Sequence, residues 1–183
     1  LKKEDTIFYF TTCGWMMWNW LVSSLFMGST IILYDGNPFY PDGKTLLNMA
    51  EKLKINVFGT SAKYISTLQS KKIFPIEIST FKYLRCILST GSPLVDENYD
   101  FIYNNWKKDV QLSSISGGTD IISCFALGNP ILPVKRGELQ CRGLGMKVES
   151  FDDNGNFIYD TKGELVCTKA FPSMPIYFWN DNN

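Results

Sequence analysis

Between residue 6 and about residue 113, short β-branched or aromatic runs alternate with longer segments of helical periodicity, and this alternation commits the chain to an α/β fold. Parallel strands cannot be joined by tight turns. Each crossover needs a longer connection, which a helix supplies. The pattern predicts strands over Ile7–Thr11, Thr30–Tyr34, Asn56–Gly59, Arg85–Ser89 and Val110–Ser113, with helices over Trp15–Met27, Thr45–Leu53, Ala62–Ser70 and Asp96–Trp106. After residue 113 glycines become frequent and the apolar runs shorten, so the βαβ units of a parallel sheet are expected to run into a β-rich extension. The α/β part is expected over about 1–125 and the β-rich part over about 126–183. No internal repeat, low-complexity tract or Pro/Ser-rich linker divides the two.

Within the extension, Asp152-Asp153-Asn154-Gly155 is a hairpin signal, because Asn-Gly supplies the positive φ angles of a tight two-residue turn. The strands it would join are Met146–Phe151 and Asn156–Tyr159. As a calcium loop the stretch fails: its glycine falls at the fourth position rather than the sixth, and no acidic residue stands at the twelfth.

Composition removes several classes of function. Eighteen basic and eighteen acidic residues cancel, and the longest basic runs are the pairs Lys2-Lys3, Lys71-Lys72 and Lys107-Lys108, so neither nucleic acid nor an anionic membrane is an expected partner. The chain contains no histidine, which excludes Ser-His and Cys-His catalysis and His-ligated metal sites within it. Its five cysteines are odd in number and form no Cys-x-x-Cys pair, as expected of free thiols in a reducing compartment. The opening Leu1-Lys2-Lys3-Glu4-Asp5 carries no leader pattern, so the chain is expected to be an internal piece of a longer protein. The apolar run Trp15–Met27 falls short of the ~20 residues of a membrane span and carries Asn19, Ser23 and Ser24, so a buried helix is expected there.

Three motifs bear on chemistry. Asp42-Gly43-Lys44-Thr45 resembles the tail of a phosphate-binding P-loop, but Gly36 lies two residues too early and Pro38 and Pro41 lack the amides a cradle needs, so a helix start after a turn is expected. Ser89-Thr90-Gly91-Ser92-Pro93 and Ser113-Ser114-Ile115-Ser116-Gly117-Gly118-Thr119-Asp120 each follow a predicted strand, the end at which open α/β sheets bind ligands. Small hydroxyl residues and glycines admit a phosphate to backbone amides, and an Asp beside a Thr suits a magnesium ion bridging phosphate oxygens. On composition alone both loops are equally ordinary turns. Trp15-Met16-Met17-Trp18-Asn19-Trp20 is either an apolar pocket wall or a packed helix.

In their order, Phe10 through Trp20, Ser89 through Pro93, Ser116 through Asp120 and Gly163-Glu164-Leu165-Val166-Cys167 resemble the adenylate-forming enzymes. Thr12 through Trp20, Phe58-Gly59-Thr60-Ser61-Ala62-Lys63-Tyr64, Ser116 through Phe125 and Phe171-Pro172-Ser173-Met174-Pro175 resemble the acetoacetyl-CoA synthetase family in particular, with Cys13 added before Gly14-Trp15. The resemblance implies the large domain of an adenylate-forming enzyme. It also implies a reaction in which acetoacetate attacks the α-phosphate of ATP, with Mg2+ as cofactor, and coenzyme A then displaces AMP from the acyl-adenylate.

Carried onto this sequence, the resemblance places Gly91, Ser92 and Pro93 against adenine and Ser114, Ile115, Ser116, Gly117, Gly118 and Thr119 around adenosine and phosphate. Thr119 and Asp120 are the expected catalytic residues, Thr119 toward a phosphate oxygen and Asp120 toward the metal, where many relatives have a longer Glu. Trp15, Met16, Met17, Thr90 and Gly117 are the expected walls of the acyl pocket. Acetate-using relatives carry Trp at the position of Gly117, so its replacement by hydrogen is expected to deepen the pocket for a larger acid. The family's upstream phosphate loop, ribose-binding carboxylate and small C-terminal domain with its lysine are not found in the chain. Catalysis is therefore expected only in a full-length protein, located in the cytosol. The alternatives are another short-chain acyl-CoA synthetase and a non-catalytic fragment.

Overall fold

β1 (Thr6–Tyr9), β2 (Thr30–Ile32), β3 (Val57–Ser61), β4 (Cys86–Thr90) and β5 (Gln111–Ser114) form one parallel sheet in the order β2-β1-β3-β4-β5. The computed structural model describes residues 1–181. Register sets the core. Ile32 lies beside Phe8, Phe8 beside Phe58, Phe58 beside Ile87 and Ile87 beside Leu112, so one row of apolar side chains crosses all five strands on a single face.

Helices α2 (Thr45–Lys52), α3 (Ala62–Ser70) and α4 (Asp96–Asn105) cover that face, and Leu46, Leu47, Ile65, Leu68, Ile102 and the following Trp106 are buried with the row. Each such side chain contributes roughly 1.5–3 kcal/mol on burial. Asn98, only 2% exposed, ties α4 to α3: it accepts from the Ser66 hydroxyl at 2.7 Å and donates to Gln69 at 2.6 Å. On the opposite face Ile7, Tyr9 and Val57 pack against Leu21 of α1 (Met16–Ser23). The Tyr9 ring lies flat on Gly59, where any side chain would collide with it. At the base of the sheet the Arg85 guanidinium meets the buried Asp5 carboxylate at 2.6 Å.

The expected helix over Trp15–Met27 holds its α geometry only to Ser23 and tightens to 3-10 over Ser24–Met27. Ser23 and Ser24 donate their hydroxyls back to the carbonyls of Asn19 at 2.6 Å and Trp20 at 2.9 Å, competing with the helical ladder, and Gly28 closes the element at φ 76°. Among the described residues no helix is long and apolar enough to cross a membrane. The Asp42 carboxylate accepts from the Lys44 amide at 2.9 Å just before α2, which is the expected turn and helix start rather than a phosphate cradle.

Beyond Ile115 the pairing becomes antiparallel. β6 (Ser116–Gly118), β7 (Ser123–Leu127) and β8 (Cys141–Arg142) form one small sheet, and β9 (Val148–Phe151) with β10 (Glu164–Cys167) forms another. The expected hairpin is corrected in two respects. Its loop has three residues rather than two: Gly155 donates to the Asp152 carbonyl at 3.0 Å, Asp152 donates to the Asn156 carbonyl at 2.9 Å, and Gly155 alone takes a positive φ of 80°. The Asn156–Tyr159 segment forms a single bridge, Phe157 to Phe151, while β10 takes the full ladder along β9.

Candidate functional site

A cleft of about 440 Å³ opens along the carboxyl edge of the parallel sheet. Three segments distant in sequence line it: Trp15 to Met17, Thr90 to Leu94 and Ser114 to Thr119. Every residue expected to contact nucleotide or acid is among them, and Asp120 alone of the expected set is outside the lining.

Strand ends explain the convergence. β4 runs out at Thr90, whose hydroxyl donates to the Ile115 carbonyl at 3.4 Å, and Gly91 then turns the chain at φ 86°. A left-handed residue at that point suits glycine and brings Ser92 and Pro93 to the surface above buried Leu94. β5 ends beside it, with the Ile115 amide donating to the Ser89 carbonyl at 2.9 Å. Met16, at the start of α1, is 4% exposed and packs on Ile115 and Cys124, while Trp15, 54% exposed, reaches over the opening. The Trp15–Met17 run is therefore both a packed helix start and a cleft wall.

The stretch from Ser113 to Asp120 is more ordered than a loop. Ile115 is a pivot between β5 and β6, and β6 lies at the edge of its three-stranded sheet, so one side of its backbone is left without a ladder partner in that sheet. At Gly117 the register with β7 shifts, and a β-carbon there would strike the Ser123 carbonyl oxygen and the Cα of Cys124. A side chain at position 117 thus points into β7, and close strand packing is sufficient reason for glycine. A β-carbon on Gly118 would meet nothing within 4 Å.

Thr119 and Asp120 lie in an exposed turn that the Ile122 amide closes on the Thr119 carbonyl at 3.2 Å. Among the described residues no group of three or more Asp, Glu, Cys or His gathers as a metal site. Burial pushes the Cys124 thiol under the cleft up to about 12, which keeps it protonated.

Sequence patterns did not point to the remaining wall, Tyr99, Gly137, Glu138 and Leu139. Tyr99 donates its hydroxyl to the Glu138 carbonyl at 3.0 Å. Burial holds its phenol above the ordinary range, the Asp96 and Glu138 carboxylates add to that, and a bond with the Ser114 hydroxyl opposes it. The only sequence signal for this wall was the position of Gly137, and glycine in a loop is too common to single out.

No protein-family model matches the chain. Among named proteins, the acetoacetyl-coenzyme A synthetase of Rhizobium meliloti is 55% identical over 99% of the chain, and the acetoacetyl-CoA synthetase of Gallus gallus is 48% identical over 100% of it. The solved acetoacetyl-CoA synthetase of Streptomyces lividans superposes over the whole chain with a TM-score of 0.92 at 42% identity. Over its whole length the chain is similar to acetoacetyl-CoA synthetases. It spans 28% and 27% of the length of the first two relatives and 29% of the third. A solved anthranilate CoA ligase, in complex with anthranoyl-AMP, superposes over 90% of the chain with a TM-score of 0.78 at 15% identity, so the two share a fold. The expected α/β fold with a parallel sheet is thus found, and it matches both solved structures.

Proposed function

We propose that this segment supplies most of the nucleotide and acid cleft of a full-length enzyme that joins acetoacetate to coenzyme A at the expense of ATP. The observation that carries the proposal is the convergence of Trp15–Met17, Gly91–Pro93 and Ser114–Thr119 on one cleft at the carboxyl edge of the sheet, in a chain 55% identical to an acetoacetyl-coenzyme A synthetase. Ligands of open α/β sheets bind at this edge.

Gly91, Ser92 and Pro93 would flank adenine. The exposed backbone of Ser116 to Gly118 and the Thr119 hydroxyl would donate to phosphate oxygens, holding the α-phosphate where the acetoacetate carboxylate can approach it. Trp15, Met16 and Met17 would exclude water from the acid, and Thr90 and Gly117 would close the opposite side. The attack forms the carboxylate–phosphorus bond as pyrophosphate leaves, and the thiolate of coenzyme A then displaces AMP. A magnesium ion needs one or two protein carboxylates and takes its other ligands from phosphate and water. Asp120, exposed beside Thr119, fits that single role and would hold the ion that offsets phosphate charge. Among the described residues no lysine lines the cleft. Balanced charge supports small-molecule substrates rather than nucleic acid, and the five free thiols support a cytosolic location.

ATP–pyrophosphate exchange by the full-length protein, with acetoacetate, acetate and butyrate compared, tests the proposal. Exchange fastest with acetoacetate is expected. Equal or faster exchange with a plain fatty acid would keep the chemistry and overturn the substrate, and no exchange with any acid would overturn both.

A further inference from the structure

The connection from β7 to β8, residues 128–140, has no regular structure of its own. At ~12–15 residues such loops are uncommon in compact folds and usually functional. This one crosses to the cleft and gives it Gly137, Glu138 and Leu139. Its far end is fastened to α4. The Arg136 guanidinium meets the Asp100 carboxylate at 3.0 Å and the Asp96 carbonyl at 3.3 Å, and Tyr99 donates to the Glu138 carbonyl. Gly137, at φ 74°, passes so close to the Asp96 carboxylate that a β-carbon would strike it.

The near end is fastened by one side chain. The Gln140 amide nitrogen donates toward the carbonyls of Leu132 at 2.8 Å, Asn129 at 3.1 Å and Pro133 at 3.2 Å. Its amide oxygen accepts from the Gln111 side chain at 2.7 Å and from the Asn129 amide at 2.9 Å. A single carboxamide thereby closes the neck of the loop, satisfies its first turn and ties it to β5. Gln140 itself does not line the cleft. A carboxamide is the group suited to this place, since it donates and accepts at once without a charge.

We infer that Gln140 is a positioning residue: it holds the 128–140 strap as a wall of the cleft, and so sets nucleotide affinity without touching the nucleotide. The inference rests on the nucleotide cleft proposed above. The test uses the full-length protein that carries this segment, its Gln140→Leu variant, and Asp152→Ala as a control. The control removes the bonds Asp152 accepts from the Asn154 and Asn156 amides in the remote hairpin. Amide hydrogen exchange and AMP binding followed by ligand-observed NMR are measured on each.

In Gln140→Leu, exchange over residues 129–139 should rise about tenfold with α4 unchanged, and AMP affinity should fall about three- to tenfold. Asp152→Ala should leave AMP affinity as it is. Unchanged exchange in Gln140→Leu overturns the inference, because the strap is then held by other ties. Raised exchange with unchanged AMP affinity overturns it too, because the strap is then not a wall. A wild-type full-length protein that fails to bind AMP overturns the nucleotide proposal and this inference together, and the absence of any wild-type signal distinguishes that failure from the other two.

Discussion

Gly117 and Gly118 are adjacent in β6 and both line the cleft, yet alanine should act on them in opposite directions. At Gly117 the added β-carbon is driven against the Ser123 carbonyl oxygen and the Cα of Cys124, with the Cys124 sulfur at 3.0 Å. Two of these three neighbours are backbone of a paired strand and cannot turn aside. Overpacking of this kind costs about 1–3 kcal/mol, and more when a ladder must shift. At Gly118 the β-carbon enters open space and φ lies outside the left-handed region, so the loss of unfolded-state freedom stabilises by about 0.4–1 kcal/mol. For a chain of this size each kcal/mol moves the melting temperature by about 2–4 °C. Urea titration and thermal melting of the two variants should place Gly117→Ala below wild type and Gly118→Ala level with it or above. Equal stability of the two, or the reverse order, would refute the assignment of Gly117 to strand packing.

Asn98→Ala, which leaves Ser66 and Gln69 without their shared partner, should cost about 1–3 kcal/mol in urea titration. Arg85→Met leaves the Asp5 carboxylate, 2% exposed, without its counter-charge and with only the Lys2 amide bond, and should also destabilise; because Arg85 is half exposed the loss should be about 1–3 kcal/mol, below that of a fully buried pair, and Asp5→Asn added to it should restore part. Burial holds the Cys124 and Cys86 thiols and the Tyr9 and Tyr64 phenols above their ordinary ranges. Above a pH of about 9.0, the ordinary thiol value, the unfolded chain therefore gives up protons that the folded chain keeps. Stability should be level through neutral pH and fall as pH rises beyond that point, and a denaturation series at rising pH that stayed flat would contradict it.

The α/β elements were legible because each burial face repeats in sequence. Phe8, Phe58 and Ile87 each sit in a short apolar run, Leu112 alternates with Val110 across Gln111, and Leu47 and Ala50, and Ala62, Ile65 and Leu68, recur at helical spacing. What periodicity could not show was competition at element ends. The hydroxyls of Ser23 and Ser24 bend α1 out of α geometry through bonds that composition does not reveal. The partner of β9 was misjudged for a similar reason. Asn154-Gly155 marks a turn correctly, but Glu164–Cys167 pairs with β9 at four positions and Asn156–Tyr159 at one, and with three apolar residues in each segment composition does not choose between them. In the site, the segments before α1 and after β4 and β5 could be found because strand ends in an open sheet converge. The strap could not, since its placement depends on Gln140 meeting Gln111, Arg136 meeting Asp100 and Tyr99 meeting Glu138, all far apart along the chain.

Among the described residues the outer strand of the parallel sheet has three residues. β2 pairs through Thr30, Ile31 and Ile32, and the chain leaves the sheet at Leu33. An outer strand so short offers an incoming strand from another molecule only a few hydrogen bonds, too little to start edge-to-edge stacking. Lengthening it, by making Asp35 and Gly36 into β-branched residues, would extend the apolar run of Leu33 and Tyr34 along the open edge and turn a self-limiting border into a template for aggregation.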